Sequence, residues 1–257
     1  MRNSDSMPNP PLKGRPRPTR FMQRILRHPR LPFTQLRYHA SKAADGSGPY
    51  RVVLFNKGTP TLRRLLDEME VTINRERKNT RRSWNFARGW AGDFPSPDHL
   101  GAVSANMYDG FDSSRTQFVA SDYLSLVAIL QEVSTGTPLG LSSFGFTLAL
   151  SAGRGTVLSL TCYISDVWIS KAFRNRGLSS PLREVVAHTT AKYISFLDSG
   201  FESSEAKKQV DVLFEADAVS LSGHRYARAC ANIFRNQAER DKWPLRKLKV
   251  AEVRLDT

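Results

Sequence analysis

The sequence predicts a single domain of the α+β class, with mixed α/β character, built on a central, mostly antiparallel sheet flanked by helices. Three observations predict it. Three apolar runs, Leu124 to Val133, Leu139 to Leu150 and Thr156 to Ile169, are joined by two tight turns, Ser134-Thr135-Gly136-Thr137-Pro138 and Ser151-Ala152-Gly153-Arg154-Gly155, which reads as an antiparallel meander. The last run ends in a short basic loop that passes at once into a helical pattern. The chain has 257 residues and 40% hydrophobic content, enough for one sizeable core.

The elements follow in order. Tyr50 to Phe55 alternates and branches like a first strand. Thr59-Pro60 opens a helix, with Leu62, Leu65, Leu66, Met69 and Val71 recurring near helical spacing. The basic run Arg75 to Arg82 reads as a solvated continuation. Residues 83–118 bring the aromatics Trp84, Phe86, Trp90 and Phe94, but Gly89, Gly92, Pro95, Pro97, Gly101 and Gly110 break any period. A long irregular segment inside a compact domain is often functional. After the meander, Pro181 to Leu197 is a helix whose Leu182, Val185, Val186, Thr189, Tyr193 and Leu197 share a face, and Pro181 is tolerated in its first turn. Val210 to Phe214 is a short strand, Ser220 to Arg240 a helix, and Lys247 to Leu255 a terminal strand. No internal repeat is present.

Charge divides the chain. The formal net charge is +14, and residues 1–48 hold ten Lys/Arg against two Asp/Glu, a net of +8. Seven of the 14 prolines lie there too. Such a segment buries too little apolar surface to offset its ordering entropy, so a disordered basic tail is expected over 1–48 and the folded domain over 49–257. Phe21 to Arg27 could form a turn or two of amphipathic helix. The tail reads as a solvated arm, as an anchor for nucleic acid or an acidic membrane, or as an Arg-rich transit peptide. No apolar run reaches the ~18 residues needed to span a bilayer. Cys162 and Cys230 are the only cysteines and no C-x-x-C occurs, so a reducing, cytoplasmic setting is expected. The five histidines include no H-x-x-x-H pair, and no metal site is expected.

The stretch Ser165-Asp166-Val167-Trp168-Ile169-Ser170-Lys171-Ala172-Phe173-Arg174-Asn175-Arg176-Gly177-Leu178-Ser179-Ser180-Pro181-Leu182 carries the chemistry. A strand, a basic glycine-containing loop and a helix start aim backbone N–H groups and a partial positive charge at the loop, which suits a phosphate. The phosphate loops G-x-x-x-x-G-K-[ST] and G-x-G-x-x-G are absent. Arg174-Asn175-Arg176-Gly177-Leu178-Ser179 resembles the Arg/Gln-x-x-Gly-x-Gly/Ala loop of the GNAT superfamily of acyl-CoA-dependent N-acyltransferases. Ile169, Phe173 and Leu182 match the family's flanking aliphatic, aromatic and apolar positions, while Ser179 departs from its last small position. The element order over 50–255 is similar too, with a longer 72–120 and one terminal strand in place of a final hairpin.

The resemblance implies that backbone groups of Val167, Trp168 and Ile169 carry the pantetheine arm of acetyl-CoA or another acyl-CoA. It implies that amides and side chains from Arg174, Asn175, Arg176, Gly177, Leu178, Ser179 and Ser180 hold its pyrophosphate. The implied base is Glu215 or Asp166, and the implied acid is Tyr226, with Phe234 as the competing alignment. The function so implied is transfer of an acyl group to a primary amine. The alternative is a non-catalytic GNAT-like protein that binds nucleic acid through its basic tail and Arg75–Arg82. Acceptor, acyl chain and oligomeric state are not legible in the residues.

Overall fold

The computed structural model describes residues 36–40, 48–55, 58–78, 104–106, 118–151, 157–200, 208–216, 221–239 and 245–256. In chain order these form β1 (Leu36–Ala40), β2 (Tyr50–Phe55), α1 (Pro60–Lys78), β3 (Ser104–Asn106), β4 (Phe118–Glu132), β5 (Pro138–Ser151), β6 (Val157–Ile169), a 3-10 turn (Lys171–Phe173), α2 (Ser179–Gly200), β7 (Lys208–Glu215), α3 (Leu221–Glu239) and β8 (Leu248–Asp256). One eight-stranded sheet runs β1-β2-β4-β5-β6-β7-β8, with β3 pairing on β4. Pairings up to β5–β6 are antiparallel, whereas β6–β7 and β7–β8 are parallel. The parallel strands need crossovers, and α2 and α3 supply them. Among the described residues no helix is long and apolar enough to cross a membrane.

The core has two layers, one on each side of the sheet. Helices α2 and α3 cover one face, where Leu182, Val185, Val186, Ala227, Cys230 and Phe234 meet Leu126, Phe144, Phe146, Leu160, Cys162 and Phe214. Helix α1 covers the other, where Leu62, Leu65, Leu66, Met69 and Ile73 meet Val53, Val127, Ile129, Leu141 and Trp168. The side-chain period of two divides each strand between these layers. Thr59 caps α1: its hydroxyl accepts the Leu62 N–H at 3.1 Å, and Pro60 occupies the first turn, where no donor is needed.

The meander, both crossover helices and the terminal strand stand where the sequence places them, within a few residues. Two readings change. Residues 36–40, expected in the disordered tail, form β1 and pair antiparallel with β2, from Leu36↔Leu54 to Ala40↔Tyr50. Leu36, Tyr38 and Ala40 alternate with polar residues, and the free edge of β2 provides the partner. The rest of the tail up to residue 47, including Phe21 to Arg27, lies outside the described residues. Val71, expected on the buried stripe of α1, is 58% exposed, and Ile73 takes its place at 3%. Two residues past Met69 is about 200° around a helix, so Val71 faces out. Within the irregular 83–118, Ser104–Asn106 forms β3. Trp84, Phe86, Trp90 and Phe94 lie outside the described residues.

Candidate functional site

The site grows from an interruption in the sheet. Strand β6 pairs with β7 from Val157↔Gln209 to Tyr163↔Glu215 and no further. On its other side β6 stays paired with β5 up to Gly140↔Ile169. Among the described residues, Ile164 to Ile169 are therefore paired on one side only. This leaves a fork whose open arm is a strand edge with unpaired backbone groups, a surface that an extended group can join as another strand would.

A bulge sets the chemistry of that arm. Ser143 pairs with Asp166 and Phe144 with Ile164, so Ser165 is the extra residue on β6. Its hydroxyl is held by Ser143, at 3.0 Å from Oγ and 3.2 Å from the carbonyl. The bulge reverses the alternation. Before it, Cys162 and Ile164 face α2 and α3; after it, Val167 and Ile169 do, and Trp168 turns under α1. Asp166 shares the Trp168 face by the same period. Gly140 allows the close approach of β5 to the end of β6, since a Cβ there would lie 2.8 Å from the Trp168 carbonyl oxygen.

At the mouth of the fork lies the basic loop. Asn175 and Gly177 have positive φ, 63° and 77°, on either side of Arg176. Alternating signs of φ turn successive N–H groups toward one point, the geometry of an anion nest. The N–H groups of Asn175, Gly177 and Leu178 make no hydrogen bond among the described residues, and Ser179, as the first residue of α2, has none within the helix. The Ser180 N–H is spent on the Gly177 carbonyl at 3.0 Å.

The loop's arginines are engaged. Arg174 Nε donates to the Ile169 carbonyl at 2.8 Å, and its Nη2 lies 3.5 Å from Glu76. Glu76 also accepts from Ser170 Oγ at 3.0 Å and from the Lys171 N–H at 2.6 Å. Arg174 thus shapes the loop, while the Arg176 guanidinium stands 5.3 Å over the Phe173 ring. Glu76 belongs to the stretch read as a solvated basic run. Its role arises from a contact across 94 residues, which no local pattern reports.

The acid and base candidates fall on opposite faces of the fork. Tyr226 is 5% exposed on α3, and its hydroxyl has no hydrogen-bond partner. It faces Ser142, whose own buried hydroxyl is also unpaired; the two stand close without a bond of normal geometry. Burial, above all, and the Cys230 thiol raise the Tyr226 pKa well above the usual 10. Ser142 pairs with Val167, so Tyr226 reaches the open arm. Phe234 packs on Phe214 at 5.5 Å, and Phe214 pairs with Cys162 in the closed sheet. The structure therefore brings Tyr226, and not Phe234, to the fork. Glu215 ends β7 at the last closed pair, half-buried, and by alternation with Phe214 faces away from α2 and α3, on the side of Asp166.

Two residues unremarked in the sequence complete the site. Ser142 is hidden inside an apolar run. Arg183, in the first turn of α2, has its Nε buried and unpaired. The described residues contain no cluster of three or more metal-ligating side chains. No protein-family model, no curated protein and no solved structure matches this chain.

Proposed function

We propose that the protein is an acyl-CoA-dependent N-acyltransferase that moves an acetyl or other acyl group to a primary amine. The observation that carries this reading is the fork with an unpartnered tyrosine hydroxyl on its open arm and an anion nest at its mouth. An unpaired strand edge suits the amide-rich pantetheine arm, and the N–H groups of Asn175, Gly177, Leu178 and Ser179 suit the pyrophosphate. The +14 charge favours a polyanion.

The thioester, when bound, supplies the acyl group and leaves as a thiol. The chain's residues have the remaining tasks. An amine with pKa near 10.4 must lose a proton before its nitrogen can form the new C–N bond. Glu215, or Asp166 beside it on the same face, accepts that proton, directly or through water. As the C–S bond breaks, Tyr226 gives its hydroxyl proton to the sulfur from the other face and recovers one from solvent. Holding amine and thioester together supplies much of the rate. The amine enters from the α1 face, and the core-side face protonates the leaving group.

Acetyl-CoA binding tests this. The ligand should raise the melting temperature with concentration, by mass action. Gly177→Glu should abolish the shift, because it places a carboxylate in the nest, while leaving a folded protein. No shift at millimolar acetyl-CoA, with salt-sensitive RNA or DNA binding in its place, would overturn the reading in favour of a non-catalytic nucleic-acid-binding protein.

A further inference from the structure

Three buried polar atoms converge where α2, α3 and β5 meet, and the acyl-transfer step described above uses one of them. Tyr226 OH, Ser142 Oγ and Arg183 Nε are all buried and unpaired. Ser142 is fully buried. Arg183 makes no hydrogen bond or ion pair among the described residues. Its charge is felt by the Tyr226 hydroxyl and by the Cys230 thiol, so the guanidinium is turned between the helices and not out toward the loop amides. A guanidinium cannot shed its charge, and desolvating it without a counter-charge is costly. Tyr226 has a task at the sulfur. An acetyl group would leave Ser142 and Arg183 with none.

The missing partner is an anion, and the faces of the fork say which reactant carries it. The amine belongs on the side of Glu215 and Asp166. Ser142, Arg183 and Tyr226 lie on the other side, with the thioester. Resting on the acyltransferase reading, we propose that the acyl donor is the CoA thioester of a short dicarboxylic acid, such as succinate, and that its distal carboxylate is held by the Arg183 guanidinium and the Ser142 hydroxyl. The carboxylate accepts from both donors, and arginine suits it because its fork of N–H groups can grip two oxygens. A short chain is required because both residues adjoin the one that meets the sulfur.

Calorimetric titration of the full chain with succinyl-CoA and with butyryl-CoA, of similar length but uncharged, separates the outcomes. The parent should bind succinyl-CoA at least about tenfold more tightly, as expected for a charge-assisted hydrogen bond. Arg183→Met should erase the preference and leave butyryl-CoA affinity unchanged. That variant removes a buried unpaired charge and should fold at least as well as the parent. Arg183→Lys should keep part of the preference, and Ser142→Ala should reduce it. Equal affinities in the parent, or a preference that survives Arg183→Met, overturn the dicarboxylate donor while leaving the acyltransferase reading in place. Failure of both thioesters to bind overturns the two together.

Discussion

Tyr226 shows how a single residue can carry a cost that only function explains. Its ring belongs to the core beside Ala227 and Cys230, and its hydroxyl is buried without a partner. An unpaired buried hydroxyl costs about 1–3 kcal/mol. Tyr226→Phe should therefore stabilise the unliganded protein by about 1 kcal/mol, a rise of roughly 2–4 °C in melting temperature for a domain of this size. The same variant should lower turnover about 10²–10⁴-fold once an acceptor is supplied, with acyl-CoA binding little changed. A lower melting temperature together with full activity would show that the hydroxyl is structural. The neighbouring thiols are kept inert by the same burial. It pushes Cys162 up to about 12 and raises Cys230 as well, so both stay protonated while the core is intact.

At the scale of elements, the site depends on contacts that join one element to the start of another. Glu76 near the end of α1 ties down Ser170, Lys171 and Arg174, so α1 fixes the loop whose amides form the nest. Asp198, near the end of α2, does the same for β8. Its carboxylate is 8% exposed and accepts the N–H groups of Arg246, Lys247 and Leu248 at 3.1, 2.8 and 2.7 Å. Asp198→Ala strands these donors and should cost about 3 kcal/mol, read as a lower urea midpoint. Asp198→Asn keeps one acceptor oxygen and should cost less. If both variants melt with the parent, water replaces the carboxylate and β8 is held by pairing to β7 alone.

Across the whole molecule, β1 alters what the N-terminal segment contributes. It continues the sheet past β2 and covers an edge that would otherwise present unpaired N–H and C=O groups. A chain beginning at Gln35 should keep the parent's melting temperature and its response to acetyl-CoA. A chain beginning at Gly46 loses β1 and should melt several degrees lower and self-associate more readily. Equal melting temperatures for the two truncations, measured side by side, would show that β1 adds no stability.

The sequence by itself determined the elements and the loop. Apolar period and turn chemistry act over a few residues, so the meander from Leu124, the helix from Pro181 and the anion-ready turn at Arg174 to Ser179 are legible without a structure. Tyr226 and Glu215 were legible as candidates only through a family resemblance. Tertiary structure alone decided where they point. The bulge at Ser165 exchanges the faces of β6, the pairing of β6 with β7 stops at Tyr163, and Phe234 falls in the closed sheet while Tyr226 reaches the fork. It also decided that Ser142 and Arg183 are buried and unpaired and that Glu76 is a clasp for the loop. The physical reason is range. Propensity and periodicity are local, whereas burial, strand register and the absence of a hydrogen-bond partner depend on residues far apart in the chain.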